Sequence, residues 1–524
     1  MRYFGLALVG LVLATSAAAA RDWHVVEGGS GDGSDASPFG RIQDGMDAAG
    51  AGDVVVVGVG TYAEQVRSQS DGVTLRAAPG AQVLVTAPGR PLRIDHASVT
   101  VEGITFDAQY ADQEVVDVNA EADFLTLRDL EIRRSSKNCV NMGDPEGVRI
   151  IGCLIHHCLK TTDTGQRDDA HGITASAARD LLIQDTDIHT FSGDAVQLDD
   201  GRTEPGWDRL TIQGCHFWLE PLPQAVNGYA AGDVPGENAV DTKTWADGPR
   251  ASIRIVDTVA HGFRGGFIDN MAAFNLKEKV DAFVDGVTVF DSEIAFRLRG
   301  PGARPGAWVH IQNAVVYDVD AAVRYEDDIE SIGIVNSTIG LDVDRPFREE
   351  QADNSVVDVR NFLVLADALP AEAQAASNLA VGAGVFVDAA GGDYHLLAGS
   401  AAIDAGETIA EVVTDRDGVP RPQGADFDVG AYEFVSGSVD AGLDAGEEDA
   451  GEDAGMDAGS DPGADAGSVP DDTGPLEDSD SNSGVSGQCG CGGGAGASGC
   501  IWILLGAAFM YGLRRGSRLS FHRT

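Results

Sequence analysis

The sequence predicts an all-β chain wound as a right-handed parallel β-helix with an N-terminal helical cap, and three observations predict it. A short phrase recurs, made of a variable residue, two small or apolar ones, a polar one, and often a second polar residue two places on. It reads Glu114-Val-Val-Asp117, Asn138-Cys-Val-Asn141, His171-Gly-Ile-Thr174, Asp194-Ala-Val-Gln-Leu-Asp199, Asn238-Ala-Val-Asp-Thr-Lys243, Gly266-Phe-Ile-Asp269, Ile294-Ala-Phe-Arg-Leu-Arg299 and Ala321-Ala-Val-Arg324. The copies start 23 to 33 residues apart, with one interval of 44. Between them lie β-branched runs and almost no amphipathic helical pattern, so each copy reads as one rung in a stack of short parallel strands about 4.8 Å apart.

Strand side chains alternate between faces, so with the third residue of each phrase inward the fourth and sixth point out. The inward column is expected to hold Val196, Val240, Ile268, Phe296 and Val323. One outward ladder reads Asp117, Asn141, Thr174, Gln197, Asp241, Asp269, Arg297, Arg324, and the ladder beside it contains Ser176, Asp199, Lys243 and Arg299. Such a face, with carboxylates and a lysine in the middle and arginines at one end, suits a cation and an anionic chain.

At the N-terminus, Met1-Arg2, an apolar run and alanine-rich residues before Arg21 read as a secretory signal peptide over residues 1–20, which makes the mature protein an exported one. Trp23-His-Val-Val, a glycine-rich polar loop and Ile42-Gln-Asp-Gly-Met-Asp-Ala-Ala read as a strand, a loop and one short helix. This opening resembles that of secreted β-helix proteins in which a helix caps the first coil. An open solenoid end would otherwise expose unpaired strand edges and apolar stack. The β-helix is expected over 21–350. Within it, Leu210 to Gly236 interrupts the repeat with Cys215-His-Phe-Trp218 and Pro221-Leu-Pro, an insertion of the kind that forms a loop on a binding face.

Residues 351–434 read as terminal coils followed by a module. Ser400-Ala-Ala-Ile-Asp-Ala-Gly406, Asp415-Arg-Asp-Gly418 and Asp428-Val-Gly-Ala-Tyr-Glu433 resemble a choice-of-anchor domain. Residues 435–488 are Asp-Ala-Gly repeats with further acids, and no Lys or Arg occurs between Arg421 and Arg514, so this stretch reads as an extended acidic linker. Residues 489–524 hold Cys489-Gly-Cys491, an apolar run to Leu513 long enough to span a bilayer, and Arg514-Arg515 after it. This ending resembles a MYXO-CTERM sorting tail, which implies attachment to a membrane and display at the cell surface; a plain tail anchor is the alternative.

The net charge of −47 speaks against nucleic acid as a partner, because phosphate binding needs a basic face. Seven cysteines are few for an exported chain of this length. A bond between Cys153 and Cys158 is one way to staple a turn, while His156-His157 between them matches no zinc spacing and reads as packing.

The chemistry rests on the ladders. Glu237-Asn-Ala-Val-Asp241-Thr-Lys243 followed by Ala295-Phe-Arg297-Leu-Arg299 resembles the site of the alginate lyase and chondroitinase B family of polysaccharide lyases, over roughly Asp168 to Gly300. The resemblance implies calcium held by Gln197, Asp199, Glu237 and Asp241, Lys243 as base, and Arg297 and Arg299 assisting, with His171, Asp269 and Arg264 as substrate contacts. That family places its arginine one rung after the lysine, where this chain offers Arg264 nearby; the laddered arginines come two rungs later. Oxygen-rich ligands suit calcium, which neutralises the charge that develops when a uronate loses the proton beside its carboxylate. The expected partner is an acidic polysaccharide, met by a monomer. Hydrolysis is a second reading, since Asp199-Asp200 with Asp194 is able to supply the paired acids of an inverting glycosidase. Non-catalytic glycan binding or adhesion is a third.

Overall fold

The computed structural model describes residues 19–436 except 199–203, 246, 301–305, 327–328 and 351–355. The chain divides into two units, 1–443 and 444–524, and all described residues belong to the first. The expected leader, apart from residues 19 and 20, lies outside the described residues, as do the acidic linker from 437 and the apolar tail. Among the described residues no helix is long and apolar enough to cross a membrane.

The unit is all-β, built on three long sheets of 13, 11 and 13 strands whose pairings are parallel. The chain visits them in turn. Val54–Val57 lies in the first sheet, Gly60–Tyr62 in the third and Val66–Arg67 in the second, and Thr74–Ala77 then returns beside Val54–Val57. Parallel pairing continues past residue 350, as far as Leu379–Val381. The early helix is Ile42–Ala48, with Ile42 and Met46 buried against Val25 and Val55 in the core and the carboxylate of Glu64 accepting from Ile42 N at 2.8 Å and Gln43 N at 3.1 Å.

In the 11-stranded sheet the inward column runs Leu92, Val116, Val140, Ile173, Val196, Val240, Phe274, Phe296, Val323, Phe347, every member buried. Ile268, expected in this column, is corrected to Phe274. Gly265 takes a φ of +67° and opens a loop that carries Ile268 and Asp269 outside the sheet, while Ala272–Lys277 forms the rung. The choice follows from packing, since the fully buried Phe274 ring stacks on Phe296 with centroids 5.6 Å apart, while Ile268 is only partly buried against the core.

The disulfide is Cys139–Cys158, which corrects the Cys153–Cys158 pairing. Cys153 and Cys158 bracket the five-residue strand Leu154–Cys158, and about 3.3 Å per residue sets their Cα atoms well beyond the roughly 7 Å a bridge tolerates. Cys153 and Cys215 stay buried and unbridged.

One turn repeats in left-handed conformation down the stack, between the first and third sheets. Its positions are Gly103, Asp129, Gly152, Asp185, Gly214, Asp257, Gly286, Asn313, Asn336 and Asn361, all with positive φ. Glycine and Asn or Asp are the residues that occupy αL at low cost. The glycines also meet a close neighbour. A Cβ on Gly214 would lie 2.4 Å from Asp185 Oδ1. The last three turns are gripped by the C-terminal module. Asn313, Asn336 and Asn361 donate to the carbonyls of Thr414 at 3.2 Å, Asp428 at 3.3 Å and Glu407 at 2.8 Å. The module centres on the fully buried pair Arg421–Glu433 at 2.6 Å.

Candidate active site

The outward ladder on the 11-stranded sheet runs Arg67, Arg93, Asp117, Asn141, Thr174, Gln197, Asp241, Asn275, Arg297, Arg324, Arg348. Asn275 stands where Asp269 was expected, and Asp269 is exposed in the preceding loop, away from the rung. The same strand brings in Lys277, which pairs with Arg299 and so joins the second ladder. Sequence reasoning missed it because equal spacing favoured Gly266-Phe-Ile-Asp269, although Ala272-Ala-Phe-Asn-Leu-Lys277 fits the phrase with polar residues at both the fourth and sixth places.

Asp241 is the centre. It is 4% exposed, and Lys277 Nζ lies 2.6 Å from its Oδ1 and 2.9 Å from its Oδ2. Asn275 Nδ2 donates to Oδ1 at 2.8 Å, and Lys243 Nζ stands 3.7 Å from Oδ2 and donates to Gln197 Oε1 at 3.2 Å. Trp207 Nε1 donates to the carbonyl of Lys243 at 2.7 Å and fixes the backbone there. Burial pushes the Asp241 carboxyl up, with the charge of Asp194 adding to it and Lys277 opposing.

A second polar group stands beside this one, built on the first residue of each phrase. His171 Nδ1 lies 3.4 Å from Asp194 Oδ2 and accepts from Asp194 N at 2.8 Å, and Asn238 Nδ2 donates to Asp194 Oδ1 at 2.7 Å. Burial would raise the Asp194 carboxyl, but the hydrogen bond and charge of His171 outweigh it and hold it low. The same pairing raises His171 against its own burial. Glu237 lies next along the chain, with Arg167 Nη2 2.5 Å from its Oε1. Burial, and then the neighbouring Asp194, push Glu237 up to about 7. The insertion forms the adjoining wall, where Pro235 O accepts from Arg167 Nε at 2.9 Å and Tyr229 OH donates to Lys160 O at 2.6 Å.

On the far side lie the arginines. Arg299 Nε is 2.6 Å, Arg324 Nη2 3.2 Å and Arg297 Nη2 3.6 Å from the carboxylate of Glu326. Three guanidiniums thus meet around one glutamate; among the described residues Nε of Arg297 has no hydrogen-bond partner, and Nε of Arg324 lies 3.6 Å from Glu350 Oε1. Arg264 is elsewhere. It pairs with Asp291 at 3.3 Å and Asp318 at 3.0 Å.

The described donors do not fit calcium, a cation that takes about six to eight oxygens. Both oxygens of Asp241 face Lys277, the Gln197 oxygen accepts from Lys243, and Glu237 is paired with Arg167. Asp199 lies outside the described residues. Among the described residues no three His, Cys, Asp or Glu side chains converge as a metal-binding group.

No known protein family and no curated protein matches the chain. Among solved structures it is similar to a pectate lyase, at 13% identity and a TM-score of 0.44, over 79% of this chain and 96% of that one. It is similar to an alginate lyase from Paenibacillus sp. str. FPU-7 at 11% identity and a TM-score of 0.36, over 60% of this chain and 94% of the other. A polygalacturonase from Erwinia carotovora ssp. carotovora matches at 11% identity and a TM-score of 0.35, over 65% of this chain and 97% of the other. The likeness is one of fold.

Proposed function

We propose that this protein acts on an acidic, uronate-containing polysaccharide and cleaves it by β-elimination, with Lys243 as base. One observation carries the reading: Lys243 and Lys277 both stand against the buried carboxylate of Asp241, one rung from Asn275 and two from Arg297. An isolated carboxylate would hold Lys243 protonated. Lys277 neutralises that carboxylate and adds a like charge, so both effects favour loss of a proton from Lys243. The neutral amine then takes the proton beside the uronate carboxylate, the carbon–carbon double bond forms, and the glycosidic carbon–oxygen bond breaks. Arg297 and Arg299 bind the carboxylate whose charge grows in that step. Glu237, titrating at about 7, is a group able to return a proton to the leaving oxygen. No step passes through calcium.

A second reading has its own observation. Asp194 is held ionised while nearby Glu237 is raised to about 7, and two acids driven apart by their surroundings are what glycoside hydrolysis requires. Incubation with a panel of polyuronates separates the readings. Ultraviolet-absorbing unsaturated ends support elimination; new reducing ends without that absorbance support hydrolysis. Binding without either product leaves a surface glycan-binding protein.

A further inference from the structure

Seven rungs from Asn275, the same ladder ends on a cavity of about 470 Å³ lined by Gln65, Arg67, Gly89, Arg90, Arg93 and Gln113. Its walls carry three guanidiniums and two amides and no carboxylate. The acids that orient the arginines stand behind them. Asp95, Glu114 and Asp117 expose 10%, 5% and 10% of their side chains, against 56%, 25% and 35% for Arg67, Arg90 and Arg93, so an incoming group meets the cations first. Arg90 is clamped between Glu114 at 2.8 Å and Asp117 at 3.1 Å, and Arg93 Nε donates to Asp95 at 2.9 Å. Arg67 also pairs with Asp95 through Nε, and no hydrogen bond to a described residue uses its two terminal nitrogens. Gly89 permits the close approach of Gln65, whose Nε2 would lie 2.7 Å from a Cβ there.

We propose that this cavity is a distal subsite for the carboxylates of the acidic glycan, binding the chain at a fixed distance from Lys243. Guanidinium forks and amides are donors matched to planar carboxylates, and pre-orientation by buried acids lowers the cost of ordering them. Arg93 and Asp241 are five rungs apart on one column, about 24 Å at 4.8 Å per rung, so a chain lying across the rungs reaches both. The inference rests on the acidic-glycan reading above and adds a binding site to it.

The test uses the full chain, with short and long size fractions of oligogalacturonate and oligoguluronate as probes in calorimetry. Arg67→Ala/Arg90→Ala is expected to weaken binding of the long fractions by about tenfold or more, leaving binding and turnover of the short fractions unchanged. If the double variant fails to fold, the charge reversal Arg67→Glu at the exposed arginine takes its place. Long-chain affinity equal to wild type overturns the subsite while the active-site reading stands. Loss of long-chain affinity in a protein that cleaves nothing supports the subsite and overturns the enzyme. Wild type that binds neither polyuronate overturns both, and binding of inorganic phosphate with no dependence on glycan length shows a small-anion site instead.

Discussion

At the scale of single residues, the proposal turns on which ammonium does what. Lys243→Met is expected to lower elimination by at least the roughly 10²-fold of a lost general base, with glycan binding retained in calorimetry. Lys277→Met acts differently. It leaves the Asp241 carboxylate facing Lys243 alone, which raises the Lys243 pKa, so the rising limb of the kcat/KM pH profile should move to higher pH. Lys243→Met with full activity, or Lys277→Met with an unmoved profile, sinks the assignment. Chelators are expected to leave wild-type turnover unchanged, because Lys277 already meets both oxygens of Asp241. Glu237 gives a stability signature. Its carboxyl sits at about 7 in the folded protein against 4.5 as a free group, so the native state binds more protons between these values. Stability should therefore fall as pH rises from about 4.5 to 7, and Glu237→Gln should flatten that slope in thermal melts.

At the scale of elements, the left-handed turn column makes a sharp prediction. Gly214→Ala places a Cβ 2.4 Å from Asp185 Oδ1 at a φ of +64° and is expected to cost about 1 to 3 kcal/mol, read as a lowered thermal midpoint. Gly103→Asn should cost less, since its Cβ contact with Ala77 is 3.5 Å and Asn tolerates αL. The rungs around Asp241 were legible in the sequence because polar and apolar residues alternate there with fixed period. Asp269 was misplaced for the same reason. Periodicity does not distinguish a loop from a rung when both carry apolar, apolar, polar, whereas packing against Phe296 does. The bond from Cys139 was illegible because it joins coils, and coil-to-coil registration is set by the stack. Arg67 and Arg93 escaped notice because Gln65 and Pro91 stand at the second place of the phrase, where the other copies carry Val, Cys, Gly, Ala or Phe.

At the scale of the whole molecule, the C-terminal module belongs to the folded body. Arg421 donates to Glu433, to Asn313 Oδ1 at 3.2 Å and to the carbonyls of Gly430 and Ala431 at 3.0 Å, so module and stack share one buried network. Limited proteolysis should release a fragment ending near Phe434 that melts cooperatively at the wild-type midpoint. Arg421→Met should lower that midpoint by leaving Glu433 buried without its cation. A fragment that loses cooperativity would place residues beyond Phe434 in the fold. We propose, from the leader and tail read in the sequence, that the protein is exported and attached at the cell surface, and fractionation of the producing cells, with and without residues 489–524, checks this.

The unbroken column from Arg67 to Arg348 makes the protein a ruler with discrete marks. Because Val116–Val118 pairs in register with Val140–Met142 on the next rung, excising residues 119–142 removes one whole coil and rejoins matching strand ends. Cys139 leaves with that coil, so Cys158→Ala would accompany the excision. The interval between the arginine cavity and Lys243 would shorten by one step of about 4.8 Å and by no intermediate amount. Glycan length preference, on this view, changes only in integers, and lineages that gain or lose a coil would retune it without altering a single contacting side chain at either end.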